Sequence, residues 1–136
     1  MSKLHIRTNN APAPSPYLSQ ATVVGNIVFC SGQLGIDPKT GKMLEGSVKD
    51  RTRQIFKNMS AVLEASGSSL ADVAKVNVFL ADMKDFKDMN EVYMEGFQEP
   101  RPARTCVAVK TLPQGSDVEI ECSAVVTRPW AIKAKL

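Results

Sequence analysis

The chain predicts an α+β domain with two helices on one face of a sheet, and three observations carry that expectation. β-Rich runs and helical patterns follow the order hairpin, helix, strand, helix, two strands. Each helical stretch gathers its apolar residues on one stripe. The last two strands alternate with strict period two, so each has one apolar and one polar face.

The 136 residues suffice for one domain with a real core and are too few for two. Hydrophobic residues make up 43% and charged residues 23%, an ordinary globular balance. The net charge of +3 comes from scattered basic residues, which form no stripe suited to nucleic acid. No apolar run reaches membrane-spanning length, and Met1-Ser2-Lys3-Leu4-His5 lacks the apolar core of a signal peptide. Cys30, Cys106 and Cys122 are an odd set inside strand-like runs, which reads as reduced thiols in an intracellular protein. With one histidine and no cysteine pair at ligand spacing, neither a metal nor another cofactor is expected.

Residues 8–20 are punctuated by Pro12, Pro14 and Pro16, which excludes regular helix and central strand. Ala21–Val24 and Ile27–Cys30 flank Gly25-Asn26, two residues that tolerate positive φ, and so predict a tight hairpin. Asp37-Pro38-Lys39-Thr40-Gly41 is a turn. Ser47, with Asp50 three residues on, caps a first helix whose stripe is Val48, Ile55, Met59, Val62 and Leu63 and which Gly67 ends. Val73–Leu80 has strand length and β-branched character. A second helix is expected from Asp82, with Phe86, Met89, Tyr93 and Phe97 on one face and Gly96 and Pro100 stopping it.

In the penultimate strand Thr105, Val107 and Val109 alternate with Arg104, Cys106, Ala108 and Lys110. In the last, Val118, Ile120, Cys122, Ala124 and Val126 alternate with Glu119, Glu121 and Ser123. The apolar faces are expected toward the helices. The other side of the sheet mixes alanine, cysteine and valine with charge, too apolar to stay wet, which predicts a homo-oligomer.

Ser31-Gly32-Gln33, Pro102-Ala103-Arg104-Thr105-Cys106 and Val118-Glu119-Ile120-Glu121 occur in this order, together with Ser19-Gln20-Ala21, the Asp37–Gly41 turn, Asn77–Asp82 and Leu112-Pro113. In this combination the chain resembles the Rid (reactive intermediate deaminase, YjgF) family from about Asn10 to Val126. The resemblance implies a chorismate-mutase-like (YjgF-like) mixed sheet and a homotrimer with ligand pockets between subunits. It makes 1–126 the Rid-type domain and 127–136 a C-terminal tail. It also implies hydrolysis of reactive 2-enamine and 2-imino acids, such as 2-aminoacrylate, to 2-keto acids and ammonia.

On that resemblance Arg104 holds the substrate carboxylate and Glu119 positions or activates water. Ser31, Gly32, Asn90, Cys106 and Tyr17 are the substrate-binding candidates. The chemistry suits these residue types. A guanidinium grips a carboxylate through two parallel bonds, and an electrophilic imine needs only a held substrate, a placed water and proton transfer. Two positions depart from the family pattern. Leu18 stands where an aromatic residue is usual, with Tyr17 one place earlier, and Arg101 replaces the aromatic before Pro-Ala-Arg. A second cation at Arg101 either tightens binding of anionic substrates or points to solvent.

A simple hairpin of the last two strands would set Arg104 opposite Val125 and Glu119 opposite Lys110, ~20 Å apart. Either the strands are not neighbours or the pocket draws on two subunits. Plainer readings stand beside the catalytic ones: a structural ion pair for Arg104, a solvated or interface carboxylate for Glu121, with the choice of Glu119 over it resting on the resemblance, a packed thiol for Cys106 and a surface or capping group for Asn90. The functional alternatives are a carboxylate-binding regulatory trimer without turnover and an RNA-cleaving protein. The expected location is the cytoplasm or, through Ala134-Lys135-Leu136, the peroxisome. No nucleic-acid or membrane partner is expected.

Overall fold

Gly25, at φ 60°, and Asn26 turn strand β2 (Ala21–Val24) back onto β3 (Ile27–Gln33), the expected hairpin. In the computed structural model, which describes residues 2–134, a helix α1 (Val48–Ala65) follows, then β4 (Val73–Leu80), α2 (Phe86–Gly96), β5 (Ala103–Ala108) and β6 (Val118–Val125). A short first strand, β1 (Lys3–Ile6), completes a six-stranded sheet in the order β1-β2-β3-β6-β4-β5. Only β4 and β5 run parallel; every other neighbouring pair is antiparallel. The architecture is the mixed α+β sheet with two helices that the alternation of elements predicts.

Local chemistry explains the helix ends. Asp50 N–H donates to Ser47 Oγ while the Asp50 carboxylate accepts from Ser47 N–H, so the capping box at α1 is complete. Gly67 follows at φ +73°, and a Cβ there would meet the Arg128 carbonyl oxygen at 2.3 Å. No other residue fits. The second helix begins later than its periodicity suggests. Asp82 Oδ1 accepts from Lys84 N–H and caps a 3-10 turn over Met83–Asp85, and α-helix starts only at Phe86.

The core lies between α1, α2 and the covered face of the sheet. Ile55, Met59, Val62 and Leu63 pack against Val76, Val78, Leu80, Ile120 and Ala124, with Met89 and Tyr93 closing the α2 side. Arg51 Nε and Nη2 donate to the two Asp117 carboxylate oxygens at 2.8 and 2.7 Å, tying α1 to the entrance of β6. This half-buried fork contributes about 1–3 kcal/mol. Residues 127–134 are also tied down, since Thr127 and Arg128 donate to the Gly67 carbonyl, Lys133 N–H donates to Ala65 and Ala134 bridges Ile6. Of the C-terminal tripeptide only Ala134 falls inside the described residues.

One facing differs from expectation. β4 and β5 pair with Val76 opposite Arg104 and Val78 opposite Cys106, so Arg104 and Cys106 stand on the helix side. Thr105 and Val107 stand on the uncovered side with Asn77 and Phe79. Period two says which residues share a face, not which face is covered; the register to β4 decides that. β6 behaves as predicted, burying Val118, Ile120, Cys122 and Ala124 and turning Glu119, Glu121 and Ser123 to the uncovered side. That side leaves Phe29 49%, Val107 43% and Val125 37% exposed. Among the described residues no helix is long and apolar enough to cross a membrane.

Candidate active site

α2 and the edge strand β5 build the first cluster. Phe86, Asn90 and Tyr93 recur at four and three along α2 and meet Arg104, which the parallel pairing holds over them. Arg104 Nη1 donates to Asn90 Oδ1 at 2.6 Å. Its guanidinium carbon lies 4.6 Å from the centre of the Tyr93 ring and 5.7 Å from that of Phe86, within cation–π range. Arg51, Arg53, Arg101 and Arg128 each hold a carboxylate, whereas Arg104 has no carboxylate partner among the described residues. The structural ion pair therefore fails as an account of Arg104. What remains is a half-buried, oriented cation with donors to spare.

Cys106 lies two residues along the same face, half-buried against the core. Burial pushes its thiol up, and the nearby Arg104 offsets this only in part. The protonated thiol is thereby favoured, which suits a packed thiol better than a nucleophile. A cavity of about 360 Å³ opens here, lined by Asn90, Tyr93, Met94, Arg101, Pro102 and Arg104.

The second cluster lies on the other side of the sheet. A bulge between Cys30 and Gln33 interrupts the pairing of β3 with β6 and brings Gly32 under the Glu119 side chain. A Cβ on Gly32 would lie 2.8 Å from Glu119 Cδ, so glycine is what lets the carboxylate rest on the β3 backbone. Ser31 is fixed beside it, its hydroxyl donating to the Ser19 carbonyl at 2.6 Å and its N–H to that of Gln20 at 3.0 Å. Burial, and then the like charge of Glu121, hold the Glu119 carboxyl above the usual glutamate range. Leu18, Ser31, Gly32, Gln114 and Glu119 line a cavity of about 400 Å³. Tyr17 is 91% exposed and borders an adjoining hollow that it shares with Leu18 and Ser31.

The predicted residues thus fall into two groups. Arg104, Asn90 and Cys106 come together on the helix side; Ser31, Gly32 and Glu119 come together on the uncovered side, with Tyr17 at their edge. β4 separates β5 from β6, so the last two strands are not partners, and within one protomer the sheet itself divides Arg104 from Glu119. Tyr93 was not among the predicted site residues, and Arg101, singled out as a second cation, falls on the lining of the Arg104 cavity. The spacing of Tyr93 three residues after Asn90 was the available signal, but it also marks an ordinary core stripe.

A mixed six-stranded sheet with two helices on one face, a half-buried guanidinium on the helix side and a half-buried carboxylate on the other defines an α+β class. The chain belongs to the Rid/YjgF family, the family described as Endoribonuclease L-PSP, whose model matches residues 8–126. A RutC family protein of Pyrococcus horikoshii is 53% identical over 119 residues, 88% of this chain and 94% of that one. A 2-iminobutanoate/2-iminopropanoate deaminase of Dermatophagoides farinae is 46% identical over 121 residues, 89% of this chain and 94% of its own. The solved structure of E. coli TdcF with bound serine superposes with a TM-score of 0.84 at 38% identity, covering 89% of this chain and 97% of that one.

Proposed function

We propose that this chain is a hydrolytic deaminase of small 2-imino acids, working as a homotrimer whose sites are completed between copies. The observation that carries the reading is Arg104, a guanidinium held by Asn90 and two aromatic rings with no carboxylate among the described residues to neutralise it. Such a group is built to take the carboxylate of a ligand. The deaminase name of the mite relative and the serine bound by the E. coli neighbour both point to ligands with that carboxylate.

In this reading Arg104 binds the C1 carboxylate of the imine through two parallel hydrogen bonds. Glu119 takes a proton from water as the water oxygen bonds to C2, and the imine nitrogen gains a proton. The hydroxyl so formed then gives up its proton, which Glu119 passes to the amine nitrogen; the C2–N bond breaks, its electrons leave with ammonia, and the C2–O bond becomes the keto carbonyl. A carboxyl held above its ordinary range is better matched to such proton transfer near neutral pH. Because Arg104 and Glu119 lie on opposite sides of one sheet, one copy supplies the grip and the next the base. Phe29, Val107 and Val125 supply apolar contact between them.

The reading is tested by generating 2-aminoacrylate with a serine dehydratase and following keto-acid and ammonia release with and without the protein. Acceleration supports it; release at the spontaneous rate, under conditions where the protein is folded, defeats it. The exposure of Tyr17 favours a second reading, a trimer that grips the carboxylate without turnover. Tight 2-keto acid binding without ammonia release selects that one. RNA cleavage is the third reading, and loss of a labelled RNA in the same preparation would select it. Location in the cytoplasm or peroxisome is likewise proposed, and a reporter carrying residues 127–136 at its free C-terminus tests the peroxisomal address.

A further inference from the structure

Arg104 is not the only guanidinium at its cavity. Arg101 lines the same 360 Å³ space, three residues earlier in the chain and ahead of β5. Its Nε donates to the Phe97 carbonyl at 3.1 Å and its Nη1 to Glu99 at 3.0 Å, which fixes the plane of the group. Nη2 has no partner among the described residues. The Glu99 side chain is 83% exposed, so it neutralises Arg101 weakly and yields readily to a competing anion.

Tyr93 supplies an independent observation. It is only 5% exposed, its ring is packed edge-on against Phe56, and its hydroxyl is buried with no hydrogen-bond partner among the described residues. A buried hydroxyl without a partner costs free energy, and its neighbours here explain where a partner would come from. The residue lines the same cavity as both guanidiniums; burial holds its hydroxyl above the usual tyrosine range and the two cations offset this only in part, so it stays a donor. A hydroxyl donor beside two cations is a site for a carboxylate oxygen.

We propose that Arg101 and the Tyr93 hydroxyl form a second anion subsite beside Arg104, which selects 2-imino acids bearing a further carboxylate on the side chain. The proposal takes the identity of the imine from the deaminase reading, but the preference for a second carboxylate is a binding property of its own. Arg104 takes the C1 carboxylate, Met94 and Pro102 offer apolar contact to the methylene carbons, and Arg101 with Tyr93 takes the distal acid. A monocarboxylic imine of similar length leaves those donors without an anion. Discrimination by loss of paired polar groups is the stronger kind.

Calorimetric titration of the full chain with 2-oxoglutarate and with 2-oxobutanoate, both stable keto acids, tests this. The unsubstituted protein is expected to bind 2-oxoglutarate about tenfold more tightly, and Arg101→Gln is expected to bring the ratio of the two affinities down to about one or two. Tyr93→Phe keeps the packed ring, removes only the unpartnered hydroxyl, and is expected to reduce the ratio about threefold without lowering the melting temperature. Equal affinities in the unsubstituted protein, no binding of 2-oxoglutarate, or a ratio that survives both substitutions would overturn the subsite. Turnover reads the deaminase reading separately. A dicarboxylate preference without keto-acid release from any imine keeps the subsite and removes the deaminase. Turnover with a ratio indifferent to Arg101 does the reverse.

Discussion

Arg104→Ala is expected to lower kcat/KM for the imine of 2-aminoacrylate by about a thousandfold or more, measured as keto-acid release in the dehydratase-coupled assay. The substitution removes the guanidinium assigned to the C1 carboxylate, and Arg101, held by the Phe97 carbonyl and Glu99, is assigned the distal acid instead. Arg104→Lys is expected to recover little. An ammonium is a point charge that cannot offer two parallel donors, and it lacks the planar group that the guanidinium sets over the Tyr93 and Phe86 rings at 4.6 and 5.7 Å. Folding should survive either change, because Arg104 holds no carboxylate among the described residues and β5 is an edge strand. Unchanged melting with lost turnover separates a binding role from a structural one; full turnover in Arg104→Ala would remove its assigned role.

Glu119→Gln is the second large effect, and it moves activity and stability in opposite directions. Turnover is expected to fall by about a hundredfold to ten-thousandfold, since an amide cannot accept a proton from water. Stability at neutral pH is expected to rise. Burial and Glu121 raise the folded-state pKa of Glu119, so its protonated form is the one favoured by folding. That contribution is fully present below the unfolded value of about 4.3 and is lost as pH rises through the raised folded value, leaving an ionised carboxylate that opposes folding at pH 7. Glutamine removes the opposition. The gain in melting temperature should shrink as pH is lowered toward the unfolded value, and the acid limb of the unsubstituted enzyme's kcat/KM profile should lie above the ordinary glutamate range. A variant that is both less active and less stable at pH 7 contradicts this account of Glu119.

The fold was legible in the chain wherever local chemistry decides structure. Gly25-Asn26, the Ser47–Asp50 box and the alternation of β6 each depend on neighbours in sequence, and each forms as read. β1 was missed because Lys3-Leu4-His5-Ile6 is only four residues long, with one fully buried side chain, and is held by its pairing with β2 rather than by any propensity of its own. The facing of β5 was misread because its register to β4 is a long-range fact. For the site, motif order named Arg104, Asn90, Cys106, Ser31, Gly32 and Glu119, and geometry gathers these into two clusters. What sequence could not supply is the sheet order that puts β4 between the two catalytic candidates, and the register to β4 that sets Arg104 on the helix side. Tyr93 escaped notice for a related reason: its ring is core, and only the solved packing shows its hydroxyl left without a partner.

The claim on which the rest depends is that a grip from one chain meets a base from another. Co-refolding Arg104→Ala with Glu119→Gln in equal amounts tests it, because each variant retains the half that the other lacks. If every site takes its arginine from one copy and its glutamate from the next, random assembly restores about a quarter of the unsubstituted activity from two inactive proteins. Mixed assemblies that form and stay as inactive as either variant alone would show that the two groups do not meet across copies.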